Sequence, residues 1–306
     1  MIKWLKYTFL LWSFQAMAQQ DPVYTQYMFN NFLINPAYAG SHDRLSFTAH
    51  SRIQWMGFDG APTTHVFTGH HLMKNQINGV GGTLQYEEIG ATTVVGASGS
   101  FSHRILLNNG TLSLGIRAGV ESYQTAFSGL DVEDQSDEVF MEDHTSILPN
   151  FGTGAYYYTD DYYIGLSIPR FIHNPLRSDV ELSEGRRQRH YFLYGGYVFP
   201  VGEHMKLKPN TLVRWVSGAP VQFDFNVNAL FYETLWLGVS YRTQESIGLL
   251  FEIMMGDNLR MGYSYDVGIN HMAQYHNGTH EMMINFRLNT SGKGKSQAKP
   301  YSPRDF

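Results

Sequence analysis

The stretch GLDVEDQSDEVFMEDH (129–144) gathers seven carboxylates: Asp131, Glu133, Asp134, Asp137, Glu138, Glu142 and Asp143. Oxygen ligands at this density are what a calcium ion takes. The order of an EF-hand loop is absent, however, and no glycine stands at its turn position. The expected role is a solvated external loop, with partner recognition as a further option. His50, His65, His70 and His71 raise the question of a metal. On a strand, adjacent residues point to opposite faces, so His70 and His71 cannot chelate together. His65 and His71 share a face but lie too far apart. Thirteen histidines and many serines offer material for a hydrolase. No Gly-x-Ser-x-Gly elbow marks a nucleophile, and a triad would need one in reach of its base. The chain has no cysteine, so thiolate chemistry and a disulfide framework are excluded. The expectation is a protein that is not an enzyme and needs neither metal nor cofactor.

The elements around these residues carry more information. A chain of 306 residues allows one large domain or two ordinary ones. A net charge of -5 gives no broad basic surface for nucleic acid. Lys3 and Lys6, the apolar run YTFLLWSF (7–14) and the small-x-small site AMA (16–18) read as a signal peptide cleaved after Ala18. The alternative is an apolar N-terminal anchor, but the run is too short to span a membrane. MAQQD lacks the Cys of a lipoprotein. No later run of 18 or more apolar residues follows. An exported soluble protein and an outer-membrane barrel both remain open.

The rest of the chain alternates. In PVQFDFNVNALFY (220–232), Val221, Phe223, Phe225, Val227, Ala229 and Phe231 share one face, and Gln222, Asp224, Asn226 and Asn228 the other. LRMGYSYDV (259–267), TLSLGIRAGVE (111–121) and TLWLGVSYR (234–242) behave alike. In HEMMINFRL (280–288), Met283 is the exception on the polar face. This is the pattern of amphipathic strands. A soluble sandwich alternates too. Strand lengths near ten residues, aromatic ends on the apolar face and full charges on the polar face favour a membrane barrel with a wet lumen. Arg117, Glu121, Asp224, Arg242, Glu252, Arg260, Asp266, Glu281 and Arg287 then face inward, while Phe225 and Ile284 face lipid. Asn226, facing water, should tolerate a charge.

Fourteen strands are expected, starting near 44, 62, 79, 92, 111, 151, 162, 190, 206, 220, 234, 246, 259 and 279. The long connections 128–150, 172–189 and 269–278 fall at one end, and tight turns such as NNG (108–110), GDN (256–258) and YET (232–234) at the other. Short periplasmic turns and long outer loops are the rule in these barrels. That rule places both termini in the periplasm. The predicted organisation is a signal peptide (1–18), an N-terminal segment at the periplasmic mouth (19–43), an up-and-down barrel (44–289) and a basic, flexible tail (290–306).

QDPVYTQYMFNNFLINPAYAGS (20–41), followed by RIQWMGFDGAPTTH (52–65), resembles the start of the PorP/SprF family. The matching elements are QYM at Gln26–Met28, NPAYAG at Asn35–Gly40, QW at Gln54–Trp55 and GAPTT at Gly60–Thr64. The resemblance is sharp over about 20–65 and general beyond. It implies an outer-membrane barrel without known catalysis that works in type IX secretion and gliding. Its partners would be outer-membrane lipid, components of that machinery, and a secreted cargo or adhesin.

Within the first block, Tyr24, Gln26, Tyr27, Met28, Phe29, Asn35, Pro36, Tyr38 and Gly40 are the candidate docking residues. The aromatic side chains, Phe32 included, need burial, and the Asn side chains suit capping. Gln54, Trp55, Gly60, Ala61 and Pro62 mark the family's first hairpin. Two readings of the block stand side by side: an element folded into or across the mouth that closes the barrel or offers a docking edge, or simple packing with no partner, since a wide lumen must be filled. The functional expectation is binding and scaffolding, with a porin-like channel and an outer-membrane lipid hydrolase as alternatives. The minimal connection near 90 is unlike a porin's inward constriction loop.

Overall fold

The computed structural model describes residues 23–42, 44–128, 143–171 and 189–289. Alternation dictates strands, and the strands form one antiparallel sheet. They are β1 (Arg44–Ile53), β2 (Thr63–Leu72), β3 (Asn78–Ile89), β4 (Thr92–Leu107), β5 (Gly110–Thr125), β6 (His144–Tyr158) and β7 (Tyr162–Ile168). Next come β8 (His190–Tyr197), β9 (Phe199–Val201), β10 (Met205–Val216) and β11 (Gln222–Phe231). The last are β12 (Leu235–Arg242), β13 (Ser246–Met255), β14 (Leu259–Gly268) and β15 (Thr279–Asn289). Each pairs with its neighbour, and β1 pairs with β15 from Arg44↔Asn289 to Ile53↔His280, which closes the ring.

Both β8 and β9 pair with β10 in one register, Gly196↔Asn210 and Phe199↔Leu207. They are one wall strand interrupted beside Pro209, which has no N–H to give to a ladder. The wall therefore has fourteen strands, as the alternation predicts.

The connections sort by length. At one end lie 73–77, 108–109, 159–161, 202–204, 232–234 and 256–258, together with the entry to β1 and the exit from β15. At the other lie 54–62, 126–143, 169–189 and 269–278, with three shorter links. The β11–β12 turn shows why the first end is tight. Thr234 N donates to Phe231 O at 3.0 Å, and the two central residues of that turn, Tyr232 and Glu233, both have positive φ, 48° and 57°, the handedness that matches the strand twist. One boundary differs from expectation. β6 starts at His144, not near 151, and pairs with β5 up to Thr125↔His144. The alternation of His144, Ser146 and Leu148 against Thr145, Ile147 and Pro149 continues the strand beneath the acidic stretch.

Facing follows the alternation. Phe225 and Ile284 are half exposed on the outer wall, at 50% and 48%. Arg117, Glu121, Asp224, Arg242, Glu252, Asp266, Glu281 and Arg287 are buried within. Arg260 points the same way and lies 3.7 Å from Glu252.

What occupies the lumen is the segment before β1. It forms three single-turn helices, η1 (Tyr27–Phe29), η2 (Asn31–Leu33) and η3 (Pro36–Tyr38), all enclosed by the wall. Its residues run through the barrel; they do not lie across its mouth. The core of the protein is the contact between this plug and the inward face of the sheet.

A filled lumen changes what a charge costs there. Phe225→Arg, on the outer wall, is expected to weaken folding into lipid vesicles by about 2–4 kcal/mol. Asn226→Arg is also expected to destabilise, contrary to the reading of a wet lumen, because Asn226 is buried against Tyr27. Deleting 23–40 should relieve Asn226→Arg and leave Phe225→Arg costly. Urea titrations in vesicles of both substitutions and of the unsubstituted parent, each with and without 23–40, test this, and relief of both changes by the deletion would overturn the facing.

Candidate functional site: the filled lumen and the rim hairpin

The plug is too short in helix to satisfy its own backbone, so the wall does it. Glu281 is the main anchor. Its Oε2 accepts from Thr25 N at 2.8 Å and its Oε1 from Gln26 N at 2.9 Å. The same carboxylate takes Arg52 Nη1 at 2.6 Å and lies 3.1 Å from His50 Nε2. Thr25 Oγ1 donates to Asp266 Oδ2 at 2.6 Å. Further along, Lys208 Nζ donates to Met28 O at 3.2 Å, and Arg117 donates to Phe32 O at 2.6 Å and Leu33 O at 3.2 Å. Ser167 Oγ reaches Ile34 O and Ser102 Oγ reaches Ala39 O, at 2.7 and 2.6 Å. Asn35 caps η3 by accepting from Ala37 N at 2.9 Å while its Nδ2 donates to Ala155 O at 3.0 Å. Unsatisfied backbone groups in a dry interior are expensive, and these bonds remove that cost.

The carboxylates around the first anchor are bonded both by wall cations and by neutral donors of the plug. Arg52 and Arg242 face four carboxylates, Asp224, Glu245, Asp266 and Glu281, at distances between 2.6 and 3.9 Å. The Thr25 and Gln26 N–H groups and the Thr25 hydroxyl supply further donors there.

Apolar contact does the rest. Tyr27, Met28, Phe32 and Tyr38 are essentially fully buried. Burial of such side chains stabilises by roughly 1.5–3 kcal/mol each. Tyr38 meets Tyr156 edge-on at 5.3 Å, and Phe29 meets Trp236 at 6.1 Å. Inward-facing Tyr158, Tyr163, Tyr194, Leu250 and Met283 belong to the same cluster. The lumen wall is thus polar on one side and aromatic on the other. Met283, the exception in the alternation, faces inward because the plug covers it. Inward glycines let the plug approach. A Cβ on Gly115 would sit 2.3 Å from Ala37 N, and one on Gly79 would sit 2.1 Å from Ala39 O.

The second sequence block lies at the long-loop rim. Gln54 N donates to Pro62 O at 2.9 Å and closes the base of the β1–β2 loop. Ala61 N returns to Phe58 O, and Gly60 O accepts from Gly90 N at the β3–β4 link. Met56 exchanges backbone bonds of 2.8 Å with Gly278 O and Asn277 N in the β14–β15 connection. The Trp55 ring stacks on His276, and its backbone N–H donates to Thr279 Oγ1 at 3.1 Å. Trp55 adopts φ 49°, a conformation that a bulky residue holds only where its surroundings impose it. Met56 and Phe58 remain exposed.

Of the residues singled out from the sequence, Tyr24, Gln26, Tyr27, Met28, Phe29, Asn35, Pro36, Tyr38 and Gly40 are all buried in the plug. A partner could touch the rings of Tyr27 and Phe29 only by displacing it. Gln54, Trp55, Gly60, Ala61 and Pro62 sit apart from them, at the rim. His70 faces inward against Phe32 and His42, and His71 faces out. Of the acidic stretch, Asp143 accepts from Ser128 Oγ at 2.8 Å, and 129–142 lie outside the described residues. So do residues 1–22 and 290–306, where a signal peptide and a basic tail are expected. Sequence reasoning missed the wall residues that hold the plug: Ser102, Ser167, Lys208, Trp236 and the inward pair Tyr156 and Tyr158. The break at Met283 and the glycines on inward positions were their available signals.

A closed, even-stranded antiparallel wall, apolar outside and polar within, defines a transmembrane β-barrel of the bacterial outer membrane. The chain belongs to the PorP/SprF family of type IX secretion system membrane proteins, whose family model matches residues 16–286. No curated protein matches it. Solved structures similar to it include the Acinetobacter baumannii outer membrane protein Omp33, at 10% identity over 80% of this chain and 99% of that one, TM-score 0.48. The Ralstonia pickettii toluene transporter TbuX matches at 9% identity over 86% and 92%, TM-score 0.49. The KdgM porin matches at 11% identity over 79% and 98%, TM-score 0.41.

The close approach of plug and wall makes a sharp contrast between glycines. Gly115→Val should cost about 1–3 kcal/mol by overpacking against Ala37. Gly99→Val, on the outer wall with nothing within 4 Å of its Cβ, should be nearly neutral. Thermal unfolding in vesicles compares them, and equal cost at both positions would contradict the seating of η3.

Proposed function

We propose that this protein supports type IX secretion, or the surface attachment of an exported partner such as an adhesin, by binding and scaffolding. The observation that carries the reading is the plug. A barrel whose axis is filled by fourteen buried or part-buried plug residues from Gln26 to Ala39 is poorly suited to conduct. A diffusion channel would need that segment to leave, breaking the bonds to Glu281, Lys208, Arg117 and Ser102 together. The work is then done by surfaces. Candidates are the long-loop rim, where Met56, Phe58 and Tyr275 are exposed, and the outer wall in contact with lipid. No step in this function requires a nucleophile, a metal or a cofactor.

Orientation belongs to the same proposal. Long loops would face outward and the β1 entry and β15 exit would face the periplasm, following the asymmetry of bacterial barrels. A signal peptide ending at Ala18 would deliver the chain across the inner membrane.

Two measurements test the reading. In planar bilayers the intact protein should show no steady conductance, and the chain lacking 23–40 should open a pore. Steady conductance by the intact protein would favour the channel. On intact cells, protease should reach tags inserted at 131 or 180 but not one placed after 291. Cleavage of the last tag at the surface would reverse the orientation.

A further inference from the structure

Beside the plug, the long-loop half of the lumen keeps a cleft. Tyr24, Ile34 and Phe192 form its apolar sides, and Thr83, Ser98 and Asn150 its polar ones. Arg170 and Glu121, paired at 2.7 Å, stand at its edge. Thr83 Oγ1 and Asn150 Oδ1 are buried and make no hydrogen bond among the described residues. Asn150 is oriented by its Nδ2, which donates to Glu121 Oε1 at 3.0 Å. A hydroxyl and an amide oxygen are thus held in place without partners, a condition that costs stability unless something fills it.

The neighbouring wall shows what kind of molecule this surface holds. Arg117, which borders the cleft, donates to the carbonyls of Phe32 and Leu33, and Ser167 donates to that of Ile34. Ile34 itself lines the cleft. The wall here already grips a polypeptide backbone through polar side chains while apolar residues cover its side chains. The cleft continues that surface into space the plug does not use.

We propose that the cleft takes an extended segment of an exported partner polypeptide, entering from the long-loop end. Thr83 would donate to a backbone carbonyl of that segment and Asn150 Oδ1 would accept from an N–H. Ile34 and Phe192 would cover one apolar side chain. The inference rests on the scaffolding reading above and adds to it a place and a ligand chemistry.

The test first defines the partners as those surface proteins that disappear from cells lacking this protein. A photoreactive benzoylphenylalanine then replaces Ser98 in the full chain in its own cells, with Glu203 in a tight turn as the control position. Illumination should give an adduct at 98, and none at 203, whose peptides come from one of the defined partners. Ser98→Tyr, which fills the cleft, should reduce partner display about tenfold at an unchanged barrel level. If Ser98→Tyr lowers the barrel level, Thr83→Val decides, because it removes a hydroxyl that has no bond to lose and should still reduce display. A protease-resistant, sugar-containing adduct would assign the cleft to a polysaccharide and overturn the proposal. Unchanged display in both variants would also overturn it while leaving scaffolding intact. Deletion without loss of any surface protein would remove the scaffolding reading itself.

Discussion

A closed sheet of fourteen strands encloses more space than its inward side chains can fill. Either water occupies the remainder or the chain must. This protein spends the residues before its first strand on the problem. Most of the other features follow from that choice. Wall glycines give clearance, inward serines and arginines meet plug carbonyls, and one carboxylate on the last strand receives the plug's first N–H groups.

The division of the inner wall into a charged and an aromatic side has the same origin. Arg52, Arg242 and their carboxylates lie where the plug offers backbone donors. Tyr156, Tyr163, Tyr194 and Trp236 lie where it offers Met28, Phe29 and Tyr38. Buried charges are tolerable in such an interior only when paired and bonded on several sides, as Glu281 is. The plug is therefore part of the electrostatics of the wall as much as of its packing.

Much of this fold was legible because period-two alternation and loop length survive any detail of packing. The facing of Asp224 against Phe225 and the closure of β15 on β1 both follow from it. The extent of β6 was not legible, because Pro149 and the acidic stretch before it imitate a loop. Nor was the depth of the plug. Asn35-Pro36 and Ala39-Gly40 show a turning, capped segment, but no local signal says whether it spans a lumen or covers an opening. That depends on contacts such as Thr25 with Glu281, which are 256 positions apart. The aromatic residues were recognised as needing burial. Burial in the lumen leaves them unable to serve at the same time as exposed anchors.

The rim hairpin bears on how the barrel stays shut. The seam between the first and last strands joins the two ends of the chain and closes its longest loop, so it carries the largest entropic cost of any pairing in the wall. Here β1 and β15 pair without a break from Arg44 to Ile53. Above that seam, Met56 is zipped to Gly278 and Asn277, and Trp55, held at an unfavourable φ, lies over His276. The β1–β2 loop thus works as a clasp on the seam. Among the described residues the ring is thus fastened twice where it closes, once by the β1–β15 ladder and once by the loop bonds above it.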